Sequence, residues 1–288
     1  MSNYVIFTDS AADIKPELLN KWGVSFISLT FRFEGDDKEY SNNEISASDF
    51  YARMREGGIA KTAAINPETF AKAFEEILSR GNDILYIGFS SGLSTTYNSA
   101  KIAMDELKEK YPERKMLAVD TLAASAGQGM LVYLAAEKKN SGADIEETAQ
   151  YIEDVKLKLC HWFTVDDLVY LKRGGRVSPT VAFVGNLLGI KPVLHVDNEG
   201  HLINMFKVRG RKAAIAALAE KLGELALDKK GGTVYISHGD CMNDVKALEE
   251  ILKKNYGAKV DIVADVGPVI GAHSGPGTLA LFFVGKER

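Results

Sequence analysis

Small polar side chains cluster directly after an apolar run in the first third of the chain. The segment from Gly88 to Asn98 reads GFSSGLSTTYN and lies between a strand-like run and a helix-like pattern. The first turn of a helix has free backbone amides, and hydroxyl groups add further donors. The segment therefore predicts a cradle for an anion, because its hydroxyl groups exceed what a purely structural turn requires.

A second segment, GPVIGAHSGPGT, extends from Gly267 to Thr278 and encloses His273. It contains four glycines and two prolines, which fix a tight backbone path. An imidazole held in such a loop can donate a hydrogen bond to a ligand. A structural role for this histidine is the alternative interpretation.

Two weaker candidates lie closer to the start of the chain. TDSAAD at residues 8–13 follows the first predicted strand, and ligand clefts open at the carboxyl ends of parallel strands. A turn with a helix cap is the alternative for this segment. Lys61-Thr62 precedes a helix start at Asn66-Pro67 and carries little information by itself.

The pentapeptide GFSSG satisfies the G-x-S-x-G pattern of a nucleophile elbow, with Ser90 as the nucleophile. An acidic residue and a histidine follow in the expected chain order, for example Asp240 and His273. No HGGG-type segment precedes the elbow, and short patterns of small residues often arise by chance. A serine hydrolase using Ser90 therefore remains an alternative hypothesis. The glycine-rich loops typical of nucleotide-binding proteins are missing.

Strands must alternate with helices to position these segments. Short apolar runs alternate with helical patterns in the first half, which indicates βαβ units around a mainly parallel sheet. Strands are predicted at 4–8, 24–33, 83–89 and 115–119. Helices are predicted near residue 16, from Asn66-Pro67, and from about Thr95. The apolar face of the second carries Phe70, Phe74, Ile77 and Leu78.

The second half begins near Thr164, where TVDD resembles a helix cap. The turn DNEG at 197–200 predicts a hairpin that pairs residues 192–196 with 202–208. Further helices are predicted at 210–227 and 242–255, and strands at 233–237, 260–264 and 279–284. We therefore expect an α/β fold with two domains: an N-terminal α/β/α domain with a mainly parallel sheet at 1–160, and a smaller C-terminal mixed-sheet α/β domain at 161–288. A ligand would lie between them.

Composition excludes several classes of protein. The 288 residues carry a net charge of −4, which gives no reason to propose nucleic acid as a partner. The two cysteines and five histidines lack metal-ligand spacing, so no metal site is expected. The chain shows neither a signal peptide nor an apolar run long enough to span a membrane, and a cytoplasmic location is expected. The second half is net basic, which fits a solvated face or a docking surface for an acidic or phosphorylated partner.

Six segments in order along the chain resemble the DegV family of bacterial fatty-acid-binding proteins. They are TDSAAD at 8–13, SSGLSTTYNSA at 90–100, LKRGGRVS at 171–178, GIKPVL at 189–194, KVRGRKAA at 207–214 and GPVIGAHSGPGTLAL at 267–281. The resemblance implies a two-domain α/β protein that holds one long-chain fatty acid, such as palmitate, between its domains. It also implies a carrier that is not an enzyme, has no catalytic residue or cofactor and makes at most transient membrane contact.

In this family the carrier presents the carboxylate of its fatty acid to a separate ATP-dependent fatty acid kinase, and the acyl phosphate serves phospholipid synthesis. The resemblance implies that Ser94 and Thr62 hydrogen-bond the carboxylate and that His273 supports them. Arg173 and Arg176 match the basic segment associated with kinase docking. A subunit that is similar to dihydroxyacetone kinase, holding a small polar substrate through a histidine, is a further alternative.

Two positions depart from the family pattern. Thr95 stands where a glycine usually follows SGLS, and it either adds a donor to the carboxylate site or narrows the mouth of the pocket. Ala63-Ala64-Ile65 stands where Ser-Gln-Pro often follows Lys-Thr, which makes that wall less polar. Both departures bear on ligand preference.

Overall fold

The computed structural model describes residues 3–177 and 189–288. The strands are β1 (Tyr4–Asp9), β2 (Val24–Ile27), β3 (Thr30–Phe33), β4 (Tyr40–Ser41), β5 (Ala60–Ala63), β6 (Asp83–Gly88), β7 (Met116–Asp120), β8 (Leu159–Thr164), β9 (Ile190–Val196), β10 (Leu202–Arg209), β11 (Val234–His238), β12 (Ile262–Asp265) and β13 (Leu279–Val284). The helices are α1 (Pro16–Lys21), α2 (Ala47–Arg55), α3 (Pro67–Leu78), α4 (Thr96–Lys110), α5 (Ser125–Asn140), α6 (Ile145–Lys156), α7 (Val169–Arg173), α8 (Arg211–Leu225), α9 (Met242–Tyr256) and α10 (Pro268–Ser274), with a short 3-10 helix at Ser10–Ala12.

The described strands form three sheets. A four-stranded sheet has the order β2-β1-β6-β7 and is parallel throughout. A six-stranded mixed sheet has the order β10-β9-β8-β13-β11-β12, in which only β11 and β12 pair in parallel. A small antiparallel sheet, β4-β3-β5, completes the N-terminal half. This arrangement confirms the α/β fold class with a parallel sheet and a separate mixed sheet.

The parallel sheet is buried on both faces, as its apolar sequence requires. All six residues of β6 are buried, and they alternate between two cores. Leu85 and Ile87 pack with α5 and α6, whereas Ile84 and Tyr86 pack with α3 and α4. Helix α5 also contacts β8, β11 and β13, so it lies between the parallel sheet and the six-stranded sheet.

Local sequence signals fix several of these elements. The Asn66 side chain accepts a hydrogen bond from Thr69 N at 2.8 Å and caps α3. Phe70, Phe74 and Leu78 on its predicted apolar face are buried, whereas Ile77 is half-buried. The 197–200 turn joins β9 to β10 in the predicted antiparallel hairpin, with a bulge between Asn204 and Phe206. The residue types at 197–200 suit a hairpin turn, so this segment carries one of the strongest signals in the sequence.

Two predictions are wrong in detail. The single strand expected at 24–33 is two strands in different sheets, because the chain turns at Ser28 and Leu29 after β2. Thr164 does not cap a helix: it ends β8, paired with Leu279, and α7 begins only at Val169. A domain boundary between residues 160 and 161 would cross β8.

Within residues 3–177 and 189–288, no helix has both the length and the apolar character needed to cross a membrane. In the same ranges, no three side chains of His, Cys, Asp or Glu converge in a way that could hold a metal ion.

Candidate functional site

A cavity of about 400 Å³ lies between the six-stranded sheet and the loops that follow strands of the N-terminal half. Its lining residues are Leu29, Thr62, Ala63, Ala64, Phe89, Ser91, Leu93, Ser94, Thr95, Ala124, Ser125, His161, Phe163, Leu171, Arg176, Val196, Leu202, Ser237, Val266, Val269, Ile270, His273, Ser274, Thr278, Ala280 and Phe282. Fifteen of these 26 residues are apolar, and the described lining contains one arginine and no acidic side chain. The cavity is therefore suited to a largely apolar ligand with an anionic group.

One face of the six-stranded sheet forms a wall of this cavity. Phe163 of β8 pairs with Ala280 of β13, and His161 pairs with Phe282. Because side chains alternate along a strand, these four residues lie on the same face. All four line the cavity, and their neighbours along the strands pack into a separate core on the opposite face.

Ser94 lies at the start of α4, where the sequence predicts an anion cradle. Its Oγ accepts a hydrogen bond from Thr96 N at 3.2 Å and lies 2.9 Å from Thr96 Oγ1. Ser94 is half-buried and lines the cavity, whereas the neighbouring Thr95 lines the cavity and is exposed. Thr95 therefore lies where the cavity meets solvent. The structure brings both of these predicted residues to the same cavity.

Thr62 and His273 are 211 residues apart in sequence and in direct contact. Thr62 Oγ1 lies 2.8 Å from His273 Nε2, and both residues line the cavity. Burial, together with the nearby charge of Arg176, lowers the pKa of His273 to about 4. The imidazole is therefore neutral at physiological pH, with one nitrogen protonated and the other free to accept.

Gly174 makes room for this imidazole at the end of α7. A Cβ on residue 174 would lie 2.1 Å from His273 Nδ1, so any residue other than glycine would displace the ring. Gly174 thus allows α7 to approach α10 closely.

Arg173 and Arg176, which the sequence pairs in one basic segment, lie in different surroundings. Arg176 Nε donates to Leu93 O at 3.2 Å, and its Nη1 donates to Gly174 O. Burial lowers the pKa of Arg176, and its side chain lines the cavity. Arg173 is exposed, with its guanidinium 5.7 Å from the centre of the Tyr170 ring. Ser178, the last residue of the LKRGGRVS segment, lies outside the described residues.

Ser90, the nucleophile of the hypothetical hydrolase, is fully buried. Its Oγ donates to Gly200 O at 2.9 Å and accepts from Gly92 N at 3.2 Å. In the described part of the chain no imidazole contacts this hydroxyl group, and His273 bonds Thr62 instead. Ser90 thus joins the 90–95 loop to the β9–β10 hairpin. Among residues 3–177 and 189–288, no side chain takes the place of the general base that a serine nucleophile requires.

The TDSAAD segment forms a capped turn behind the cavity wall. Asp9 is fully buried and accepts hydrogen bonds from Tyr86 Oη at 2.7 Å, Phe89 N at 3.0 Å and Ala11 N at 3.1 Å. Asp13 accepts a bond from Ser125 Oγ at 2.6 Å, and burial raises its pKa to about 7. Neither carboxylate belongs to the described cavity lining.

Sequence reasoning missed several polar groups in the cavity. His161, Ser125, Ser237 and Ser274 line it, but none of them lies in a motif with recognisable spacing. A cue exists only for Ser274, which follows His273 in the GAHSGPG loop. The other three lie in or beside apolar runs, where a lone polar residue is usually structural.

A family model described as "Uncharacterised protein, DegV family" matches residues 3–286. Among curated proteins, a DegV domain-containing protein from Clostridium perfringens is 44% identical over 291 aligned residues, covering 100% of this chain and 99% of the relative.

Solved structures give the same result. A DegV lipid-binding protein from Thermotoga maritima is 34% identical, with a TM-score of 0.87 and 99% of each chain covered. A second protein from Thermotoga maritima, described as revealing a fatty-acid-binding function, is 32% identical, with a TM-score of 0.86, 99% of this chain and 100% of that chain covered. The chain therefore belongs to the DegV family.

Proposed function

We propose that this protein is a cytoplasmic carrier of one long-chain fatty acid, held in the cavity between two domains that meet near residue 160. The observation that carries the proposal is the composition of the cavity: apolar walls, hydroxyl groups and one guanidinium, with no acidic side chain in the described lining. The fatty-acid-binding function of the related Thermotoga maritima protein supports it.

The apolar walls would supply most of the binding free energy. Each buried methylene contributes about 0.8 kcal/mol, so a palmitoyl chain gains roughly 11 kcal/mol before the costs of association are subtracted. A small polar ligand of the dihydroxyacetone type would leave Phe163, Phe282 and Val269 uncovered. The cavity walls therefore favour a lipid over that alternative.

The head group requires donors, because a buried carboxylate without hydrogen bonds costs several kcal/mol. Thr62 has a single hydroxyl hydrogen. When His273 Nε2 carries its own hydrogen and donates to Thr62 Oγ1, that hydroxyl hydrogen is free for the carboxylate. His273 would thus act as a positioning residue for Thr62, and Ser94 and the amides at the start of α4 would add further donors. The guanidinium of Arg176 would add a favourable charge.

Presentation of the carboxylate to a separate fatty acid kinase is the second half of the proposal. Thr95 and Arg173 are exposed close to the residues that would hold the head group. A carboxylate held at this edge of the cavity would keep one oxygen accessible for phosphoryl transfer, and the acyl phosphate would pass to phospholipid synthesis. Arg173 would contact the kinase.

Removing the hydroxyl donors tests the proposal. Dissociation constants for palmitate are measured with delipidated wild-type protein and with Thr62→Val, Ser94→Ala and the double variant. We expect each single change to weaken binding about tenfold or more, since hydrogen bonds to charged groups are worth about 1.5–3 kcal/mol. Acyl-phosphate formation with the kinase should fall in parallel.

Ser99→Ala is the matched control, because Ser99 lies on α4 and is not among the described lining residues. It should bind palmitate like the wild type. A double variant that still binds palmitate normally would remove Thr62 and Ser94 from the site. Protein that takes up no fatty acid at all would refute the carrier function.

A further inference from the structure

His161 is a buried polar side chain in a wall that is otherwise mostly apolar. It is 2% exposed and lines the cavity on β8. Both ring nitrogens are shielded from solvent, and neither has a hydrogen-bond partner in residues 3–177 and 189–288. Buried polar atoms are nearly always hydrogen-bonded, so two orphan nitrogens on one cavity-lining ring require an explanation.

The imidazole is held in its neutral form. Burial, together with the positive charge of Arg288, lowers the pKa of His161 well below its ordinary value. A neutral imidazole offers one N–H donor and one acceptor nitrogen. A half-turn about the Cβ–Cγ bond exchanges Nδ1 with Cδ2 and Nε2 with Cε1, so the ring can present either a donor or an acceptor at a given position.

The fold leaves space for this ring beside the start of α5. A Cβ on Gly127 would lie 2.6 Å from His161 Cδ2 and 2.9 Å from Nε2. Two residues earlier, Ser125 lines the same cavity, and its Oγ lies 2.6 Å from Asp13 Oδ2 and 3.0 Å from Ser237 Oγ. Ser125 has a single hydroxyl hydrogen, so it donates to only one of these two oxygens at a time. In either case Ser237 Oγ keeps a lone pair that can accept a hydrogen bond from a ligand.

The path of the chain along β13 separates His161 from the loop that carries His273. Thr278 lies five residues after His273. Phe282, which pairs with His161, lies four residues after Thr278. Four residues of extended strand span about 13 Å. A fatty acid with its carboxylate near Thr62 and His273 would therefore meet His161 with the middle or far part of its hydrocarbon chain.

We propose that the wall formed by His161 and the start of α5 is a second polar subsite, which binds a hydroxyl group on the hydrocarbon chain of the ligand. This inference rests on the proposed function and deepens it by adding hydroxylated long-chain fatty acids to the substrate class. A hydroxyl group both donates and accepts, as a neutral imidazole does, whereas a methylene group leaves the ring without a partner.

Binding of three ligands tests the subsite: stearate, 12-hydroxystearate and 2-hydroxystearate. The measured quantity is the preference for 12-hydroxystearate, defined as the dissociation constant of stearate divided by that of 12-hydroxystearate. This preference should be about tenfold larger in the wild type than in His161→Phe, since one hydrogen bond to a buried partner is worth about that factor. The 2-hydroxyl group lies next to the carboxylate, so the affinity of 2-hydroxystearate relative to stearate should be the same in both proteins.

Two further variants keep the test decisive. Ser237→Ala removes an acceptor and leaves the His161 ring in place, so it should also lower the preference for 12-hydroxystearate. This variant serves as the test if His161→Phe does not fold. Phe163→Leu alters the same wall without a polar group and should leave the preference unchanged. If the wild type, His161→Phe and Ser237→Ala all bind stearate normally and show the same preference for 12-hydroxystearate, the subsite is refuted and the carrier function is not. Failure to bind any of the three ligands overturns the carrier function.

Discussion

The two faces of the six-stranded sheet use the same strands for different purposes. Cys160, Trp162, Leu281 and Phe283 point to one face, where α8 and α9 cover them in a closed core. His161, Phe163, Ala280 and Phe282 point to the other face and border a cavity. Both sets are buried and mainly apolar.

The difference arises from what packs against each face. The covered face meets long side chains of α8 and α9, including Leu218, Leu222 and Leu248. On the other face the facing elements leave a cavity, and Ala63, Ala64 and Ala124 are among the residues that line it. A cavity is therefore determined by the partners of a sheet as much as by the sheet itself, and the alanines that depart from the family pattern at 63–64 contribute to it.

The largest expected effect is on the covered face. Leu281→Ala should lower the free energy of unfolding by about 2–5 kcal/mol, because it removes a fully buried side chain from a packed core. Urea denaturation measures this loss, and mass spectrometry of the folded protein should still detect bound fatty acid. Loss of the lipid with unchanged stability would contradict the assignment of the two faces.

The adjacent residue gives the opposite expectation. Ala280→Phe should place a ring in the cavity and weaken palmitate binding by about 100-fold or more, with a smaller loss of stability than Leu281→Ala, since the void accepts the added volume. Palmitate titration and urea denaturation of the delipidated protein measure both quantities. Normal palmitate affinity in this variant would show that the ligand does not contact this wall.

Stability should depend on pH through groups near both faces. Burial lowers the pKa of His195 and of His273 to about 4 from 6.5, so between these values the unfolded chain binds more protons and stability rises with pH. Burial raises the pKa of Asp13 from 3.8 to about 7, so its contribution falls as pH rises through the same window. At about 1.36 kcal/mol per pKa unit, each histidine contributes at most about 3 kcal/mol and Asp13 at most about 4 kcal/mol.

Two variants separate these opposing contributions. Asp13→Asn should make the rise of stability between pH 4 and 6.5 steeper than in the wild type, and His273→Gln should make it shallower. The free energy of unfolding is measured by urea denaturation across that window. Identical pH profiles for all three proteins would show that neither group changes its pKa on folding.

The smallest effects separate the two arginines at the rim. Arg176→Ala should lower the free energy of unfolding by about 1–3 kcal/mol, because Leu93 O and Gly174 O lose a charged donor, and it should also reduce lipid content. Arg173→Ala should leave both quantities within error, since exposed side chains contribute little, but it should slow acyl-phosphate formation by the kinase. Equal effects of both changes on stability would contradict their different surroundings.

Local patterns predict much of the fold and only part of the site. The helix at Asn66-Pro67 and the hairpin at 197–200 follow from capping and turn chemistry, which act over a few residues. The division of residues 24–33 between two sheets does not follow, because both halves have the same apolar pattern and only tertiary pairing separates them. Likewise, no spacing rule relates Thr62 to His273, since the contact depends on how α10 packs against β5. His161 gives no signal because a histidine in a buried strand usually has a structural role.

The sheet face that borders the cavity also links the supply of ligand to the lifetime of the protein. A cavity without an occupant lacks the van der Waals contacts that a filled core supplies, so the empty form is the less stable one. A ligand that binds only the native state adds RT ln(1 + [L]/Kd) to its stability. Under the proposed function, a cell starved of lipid would contain protein that unfolds more often and is degraded faster. Its abundance would then follow the availability of its ligand without any dedicated sensor.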